Sequence, residues 1–368
     1  MDINNILIFC PDGLFRRGNV SFAEHIECVD LCSETVTPSK SDDILIPGLI
    51  DIHTHGILGS DHCDGTPDSL EQAARCYLSH GITSFLATTM TITMPELLTA
   101  LENVGGYLNS RPGGGARLAG INAEGPFLSK EKRGAHDEKY LQMPNNEQWD
   151  EMNNAAQGGI CLLSLAPELP GADDFIRHVK STSANTHIAV AHTTADYDIT
   201  IAAYEAGASH LTHTFNAMAP ILHRAPGPIG AAADKGVWAE LICDGFHVHP
   251  SVCRASFKMF PKRICLISDS SLITGMPDGD YIFGGLPVIL KNGTALQPDG
   301  TIAGSTITVA DGLRNAVRFG IPIEDAIAAA TANPSLAIGM EDEIGFIKPG
   351  ARADFILKPV VVHIEDMS

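Results

Sequence analysis

Short apolar runs with strand character recur near residues 48–53, 83–88, 117–123, 160–166, 187–192, 209–213, 237–243 and 263–268. Helical patterns fall between or after them, at 70–79, 95–109, 172–181, 199–206, 251–259 and 307–319, the second with Pro95 suited to a first helical turn. The runs are mostly apolar, as strands buried on both faces must be. This alternation of strand and helix predicts a closed parallel (β/α)8 TIM barrel. A doubly wound open sheet is the alternative, but its ligands would gather at one switch point. Here the chemistry-bearing residues are spread over many runs.

Those residues stand at the run ends. The run Leu49-Ile50-Asp51-Ile52 leads into His53-Thr54-His55, and imidazoles at i and i+2 leave a strand on the same face, free to converge on one cation. Four later runs end in Glu124, His192, His213 and Asp269. Singly, each reads best as a satisfied polar residue at a strand terminus. Together they read as a metal centre, because the C-terminal ends of barrel strands face one shared cavity. Cys63, soon after the histidine pair, reads as a thiol near the metal and not as a ligand.

A barrel needs roughly 250 residues, so 368 leaves room for one small accessory unit. Residues 47–342 are assigned to the barrel; 1–46 and 343–368 are expected to pair in a small β-sandwich domain. The signals are β-like pieces at 5–10 and 27–31, a Pro11-Asp12-Gly13 turn, and a strand-turn-strand pattern over 344–357. No apolar stretch approaches the roughly 20 residues of a membrane span, and Met1-Asp2-Ile3-Asn4 is not the basic start of a signal peptide. A soluble, cytoplasmic protein is expected. Nine scattered cysteines without a CxxC pair suggest reduced thiols. The net charge of −20 disfavours nucleic acid, and an anionic substrate would need local cationic groups working against the global field.

The run Pro47-Gly48-Leu49-Ile50-Asp51-Ile52-His53-Thr54-His55-Gly56 resembles the opening signature of the amidohydrolase superfamily. Ala123-Glu124-Gly125-Pro126-Phe127, Lys132-Arg133-Gly134-Ala135-His136, Ala191-His192-Thr193, His213-Thr214-Phe215-Asn216-Ala217-Met218, Asp244-Gly245-Phe246-His247-Val248-His249-Pro250 and Ile302-Ala303-Gly304-Ser305 narrow the resemblance to the N-acetylglucosamine-6-phosphate deacetylases. The opening is shared by many hydrolases; the Glu124 and His213 segments are far more specific. The likeness runs from about residue 47 to 354.

The resemblance implies a divalent metal on Glu124, His192 and His213, with zinc first among zinc, iron, cobalt and manganese. It makes Asp269 the catalytic acid/base, taking a proton from the attacking water and passing it to the departing sugar nitrogen. It places Ala135 and His136 on the sugar, Asn216 and Ala217 near a phosphate, Arg224 as the cationic phosphate contact, His247 on phosphate or sugar oxygens, and Ile302, Ala303 and Gly304 over the acyl group. It also implies a homodimer acting on a small amino-sugar phosphate. Some members carry Gln and Asn where this chain has His53 and His55, and bind one metal; here a second ion, bridged by Glu124 or water, is open. The usual Thr-Asp-Ala is replaced by Ser268-Asp269-Ser270, which keeps the carboxylate. Amidohydrolases acting on cyclic amides or dipeptides commonly bridge two metals with a modified lysine, and Glu124 at that strand end argues against them. A catalytically dead barrel would have lost ligands, and none is lost. Whether the sugar is the gluco or galacto epimer stays open.

Overall fold

The computed structural model describes residues 1–39, 42–64, 66–110 and 113–357. Eight parallel strands, Leu49–Thr54, Ile82–Thr89, Arg117–Ala123, Ile160–Leu165, His187–Val190, His210–Leu211, Trp238–Ile242 and Ile264–Ile267, lie side by side in chain order. The last returns to the first: the Asp269 N–H donates to the His53 carbonyl at 2.9 Å and the His55 N–H to the Ser270 carbonyl at 2.7 Å. The sheet is therefore the expected (β/α)8 barrel. Ile50, Ile52, Leu86, Ala119, Leu162, Ile242, Cys265 and Ile267 form one buried cluster together with Ala337, Ile338 and Ile344. Neighbouring positions such as Leu49, Phe85, Ile121, Leu163 and Leu241 belong to the larger core shared with the helices. This alternation is why the runs are apolar at nearly every position.

The predicted helices are found, for example Pro67–Ser79, Met94–Ser110 and Val309–Arg318. The first begins at Thr66, whose side chain accepts from the Ser69 N–H; the last has a full capping box, Thr308 with Asp311. Helices Asn146–Ala155, Gly227–Lys235, Ile323–Ala330 and Ala332–Ala337 were not anticipated. Nor was a three-stranded antiparallel sheet, Gly279–Phe283, Leu286–Lys291 and Thr294–Leu296, that follows the last barrel strand.

Strands Phe355–Leu357, Ile44–Pro47, Asp2–Phe9, Phe15–Phe22 and Ile26–Thr35 form one five-stranded sheet in that order, with Ile6, Ile8, Val20, Ile26, Leu45 and Ile347 at its core. Its strand Ile44–Pro47 runs through Gly48 straight into the first barrel strand. Residues 344–347 are not the expected strand. The Glu343 and Ile344 N–H groups turn back to the Met340 carbonyl, tying that stretch to the preceding helix. The far end of the expected terminal unit, 358–368, lies outside the described residues.

His62 sits beneath the histidine pair with no exposure, its Nδ1 donating to the Thr54 carbonyl at 2.7 Å and its ring against Tyr77 and Phe85. Burial pushes its pKa down to about 3. Between that value and the ordinary 6.5 of an exposed imidazole, the unfolded chain binds a proton that the folded chain refuses. The part of the stability that depends on His62 is complete above about pH 6.5 and falls as pH drops towards 3, by about 1.4 kcal/mol per pH unit for one proton. The variant His62→Gln should flatten the pH dependence of the unfolding free energy from urea titrations by that amount; an unchanged slope would assign the proton uptake to another group.

Candidate active site

Glu124 follows the third barrel strand and stands at the centre of a ring of imidazoles. Its Oε1 lies 3.0 Å from His213 Nε2 and 3.2 Å from His192 Nε2, and 3.4 Å from His53 Nε2. Its Oε2 lies 3.2 Å from His55 Nε2 and 3.3 Å from His136 Nε2. Asp269 Oδ1 closes the other side, 3.3 Å from His55 Nε2 and 3.6 Å from His53 Nε2. Strand ends from around the barrel thus deliver six groups to one point. His192, His213 and Asp269 turn there on φ angles of +43°, +26° and +52°, a conformation that side-chain-bearing residues adopt at a cost and that collects at functional sites.

The hydrogen bonds sort these imidazoles into donors and ligands. His192 Nδ1 donates to the Lys132 carbonyl at 2.8 Å, which leaves its Nε2 a lone pair, 3.0 Å from His213 Nε2. Buried His53 Nε2 has no hydrogen-bond partner, although two carboxylates flank it. Lone pairs and carboxylate oxygens converging this closely, with a buried nitrogen left unmatched, fit a bound cation with nitrogen and oxygen ligands. Two donor sets lie within reach of an ion, His53, His55 and Asp269 in one, and Glu124, His136 and His192 in the other. His136 does not fit the second set. The Thr91 N–H donates to its Nδ1 at 3.1 Å, so a neutral His136 carries its proton on Nε2 and presents a donor to the site. His213 Nε2 stands within 3.0 Å of both Glu124 Oε1 and His192 Nε2.

The electrostatics carry the same demand for positive charge. Burial would lower His55, but Asp269 and Glu124 beside it push its pKa up to about 9. Burial would likewise raise Glu124 and Asp269; the surrounding imidazoles hold Glu124 well below the ordinary carboxylate range and depress Asp269 too. For His192 burial wins and lowers it to about 4, which suits a neutral ligand. Without a metal, protons on the histidines balance these acids. Among the described residues no lysine or arginine is buried.

The cluster floors a cavity of about 380 Å³. Ala135, His136, Asn216, Ala217, His247, Ile302 and Gly304 line it, as do His55, Glu124, His192, His213 and Asp269. His247 is held by Asp244, whose Oδ2 accepts from Nδ1 at 2.6 Å. Gly304 has φ +68° and its α-carbon lies so near that a Cβ would stand 3.0 Å from the Asp269 carbonyl; Gly134 similarly brings its backbone against the His192 ring. Ala303 is buried behind this wall among Met90, Phe283 and Leu290. Arg224 is not brought to the cavity. It is exposed at the tip of a turn closed by hydrogen bonds between Leu222 and Ala225, and lines a separate depression with Asp196, Tyr197 and Pro226. The permanent cations on the cavity wall are Lys132 and Arg133.

Phe283 and Met90 also line the cavity, Phe283 with its ring 5.5 Å from that of His55. Both escaped the sequence reading, although Gly284-Gly285 between two alternating stretches is a hairpin signal. Cys63 stays out of the cluster and accepts from the Met90 N–H at 3.1 Å. His249 caps the helix Pro250–Met259, and the His187 and His210 rings lie 5.3 Å apart, tilted by 57°.

Residues 44–366 match the amidohydrolase family. The chain belongs to it. Within that family this amidohydrolase is 37% identical over 324 residues to an N-acetylglucosamine-6-phosphate deacetylase of Bacillus subtilis strain 168, covering 87% of this chain and 81% of the relative. It is 34% identical over 330 residues to an N-acetylgalactosamine-6-phosphate deacetylase of Escherichia coli O157:H7, covering 89% and 87%. A solved structure of the N-acetyl-D-glucosamine-6-phosphate deacetylase of Mycobacterium smegmatis, a variant in complex with N-acetyl-D-glucosamine-6-phosphate, superposes with a TM-score of 0.88 at 31% identity, covering 97% of this amidohydrolase and 94% of that chain. No helix among the described residues is long and apolar enough to cross a membrane.

Proposed function

We propose that this amidohydrolase hydrolyses the acetamide of N-acetylglucosamine 6-phosphate, releasing acetate and glucosamine 6-phosphate. The observation that carries the reading is the convergence of Glu124, His192, His213 and Asp269 on the floor of one cavity, in a chain whose relatives carry that name over most of their length. Glu124, His192 and His213 would hold a divalent ion, zinc by the nitrogen-rich donor set, and His53 and His55 a second. An ion held there lowers the pKa of water and polarises the amide carbonyl. Asp269, an ionised carboxylate, accepts the proton of the attacking water and gives it to the leaving nitrogen as the C–N bond breaks. His136, with its proton on Nε2, is placed to donate to the carbonyl oxygen as negative charge grows there. Met90, Phe283 and Ile302 offer the acetyl methyl an apolar wall. The homodimer rests on the family resemblance, and the cytoplasmic setting on the sequence reading.

Acetate release should be assayed from the gluco and galacto epimers, each with and without the 6-phosphate. Release from the phosphorylated gluco sugar above all others is expected; preference for the galacto epimer would move the activity to that of the E. coli relative. No release from any of the four would end the deacetylase reading.

Arg224 lies outside the cavity; its part as the phosphate contact rests on the family resemblance and on a guanidinium's fork of donors, which matches phosphate oxygens. A charge-assisted hydrogen bond is worth about 1.5 to 3 kcal/mol, so Arg224→Ala should lower kcat/KM for the phosphorylated sugar roughly ten- to a hundredfold. The unphosphorylated sugar should be untouched. Equal losses on both, or no loss, would leave Arg224 supporting its own loop and pass the phosphate to Lys132 and Arg133.

A further inference from the structure

The seventh barrel strand carries Glu240 in the middle of an otherwise apolar run, Trp238-Ala239-Glu240-Leu241-Ile242, and the side chain has no exposure at all. Its Oε2 lies 2.9 Å from His53 Nδ1 and accepts the backbone N–H of His213 at 3.2 Å; its Oε1 has no partner. A full carboxylate in a barrel interior is expensive unless it is matched, and among the described residues no buried lysine or arginine is there to match it. Among the described residues its one side-chain hydrogen bond is to a histidine that faces the cluster with its other nitrogen. Oε2 already acts as an acceptor towards the His213 N–H, and with His53 Nδ1 as its second donor the proton of His53 lies on Nδ1.

We propose that Glu240 is a positioning residue for the cation site at His53 and His55. By holding the proton on Nδ1 it fixes the ring and turns the Nε2 lone pair towards Glu124 and Asp269, 3.4 and 3.6 Å away. The same oxygen ties down the backbone of His213, so one carboxylate sets the spacing between the two donor sets. Its negative charge also makes His53 a stronger base towards a metal. The inference rests on the two-position reading above and adds to it a residue that never touches substrate.

The test is calorimetric titration of the metal-free protein with zinc. Two ions are expected for the wild type and one for His53→Gln/His55→Asn. Glu240→Leu should weaken the second ion by about 10- to 100-fold and the first by less, and Glu240→Gln, whose amide oxygen still accepts from Nδ1, should restore most of that loss. If Glu240→Leu binds both ions as the wild type does, or loses both alike, the positioning role is overturned while the two-ion reading survives. A wild type that binds one ion, or a double histidine variant that still binds two, overturns both. A second measurement needs no variant of Glu240: in the zinc-loaded wild type labelled with 15N-histidine, the resonance missing from His53→Gln should be that of an Nδ1-protonated ring. An Nε2-protonated ring there overturns the proposal.

Discussion

Replacing Asp269 by asparagine is expected to remove nearly all turnover while leaving the fold and most of the metal in place. An amide neither accepts the proton of water nor returns one to the leaving nitrogen, and acid/base catalysis of this kind contributes about 10²- to 10⁴-fold. The fold should survive for a local reason. Position 269 sits at φ +52°, which asparagine tolerates better than most residues, and its backbone bonds to His53 and Ser305 do not involve the side chain. Acetate release and elemental analysis on the same preparation check both halves. Activity within tenfold of the wild type would remove Asp269 from the proton path.

Substitution of Glu124, His192 or His213 should abolish metal retention and activity together. His53→Gln with His55→Asn should cost at most one of two ions. The asymmetry follows from Glu124, whose two oxygens face different imidazoles: His192, His213 and His53 on Oε1, His55 and His136 on Oε2. Its loss opens both positions, whereas the first barrel strand serves one. Metal content after exhaustive dialysis decides between them. Full loading of Glu124→Gln beside an empty double histidine variant would reverse the order of the two positions.

The barrel was legible because a parallel strand is buried on both faces, and that writes a local apolar run into the chain. The donors at the ends of those runs were legible for the same reason, since a polar residue closing such a run stands out. Glu240 carried a comparable signal, a carboxylate inside Trp238–Ile242, but attention to strand ends passes over a residue in mid-strand. Helix Gly227–Lys235 was hidden by its own composition, Gly-Pro followed by small residues, which reads as a loop until packing against the barrel supplies what propensity lacks. The place of Arg224 depends on two backbone hydrogen bonds across a four-residue turn, and no periodicity encodes those. The cavity wall of Met90, Phe283 and Ile302 joins three distant segments, so it exists only in the folded chain.

The closure of the barrel also sets when the site can come into being. The Thr54 and Ser270 hydroxyls that meet at 2.7 Å are 216 residues apart in the chain, and Ser305 must follow before its N–H can reach the Asp269 carbonyl. A chain leaving the ribosome therefore displays His53 and His55 early, then Glu124, His192 and His213, while Asp269 and the strand that closes the barrel come last. Contacts this distant in sequence form slowly. Until they form, the nascent chain has nitrogen and oxygen ligands but no working site, and an ion captured early would sit in an open, incomplete ring. Barrel closure is thus the step that any complete site in this protein has to wait for.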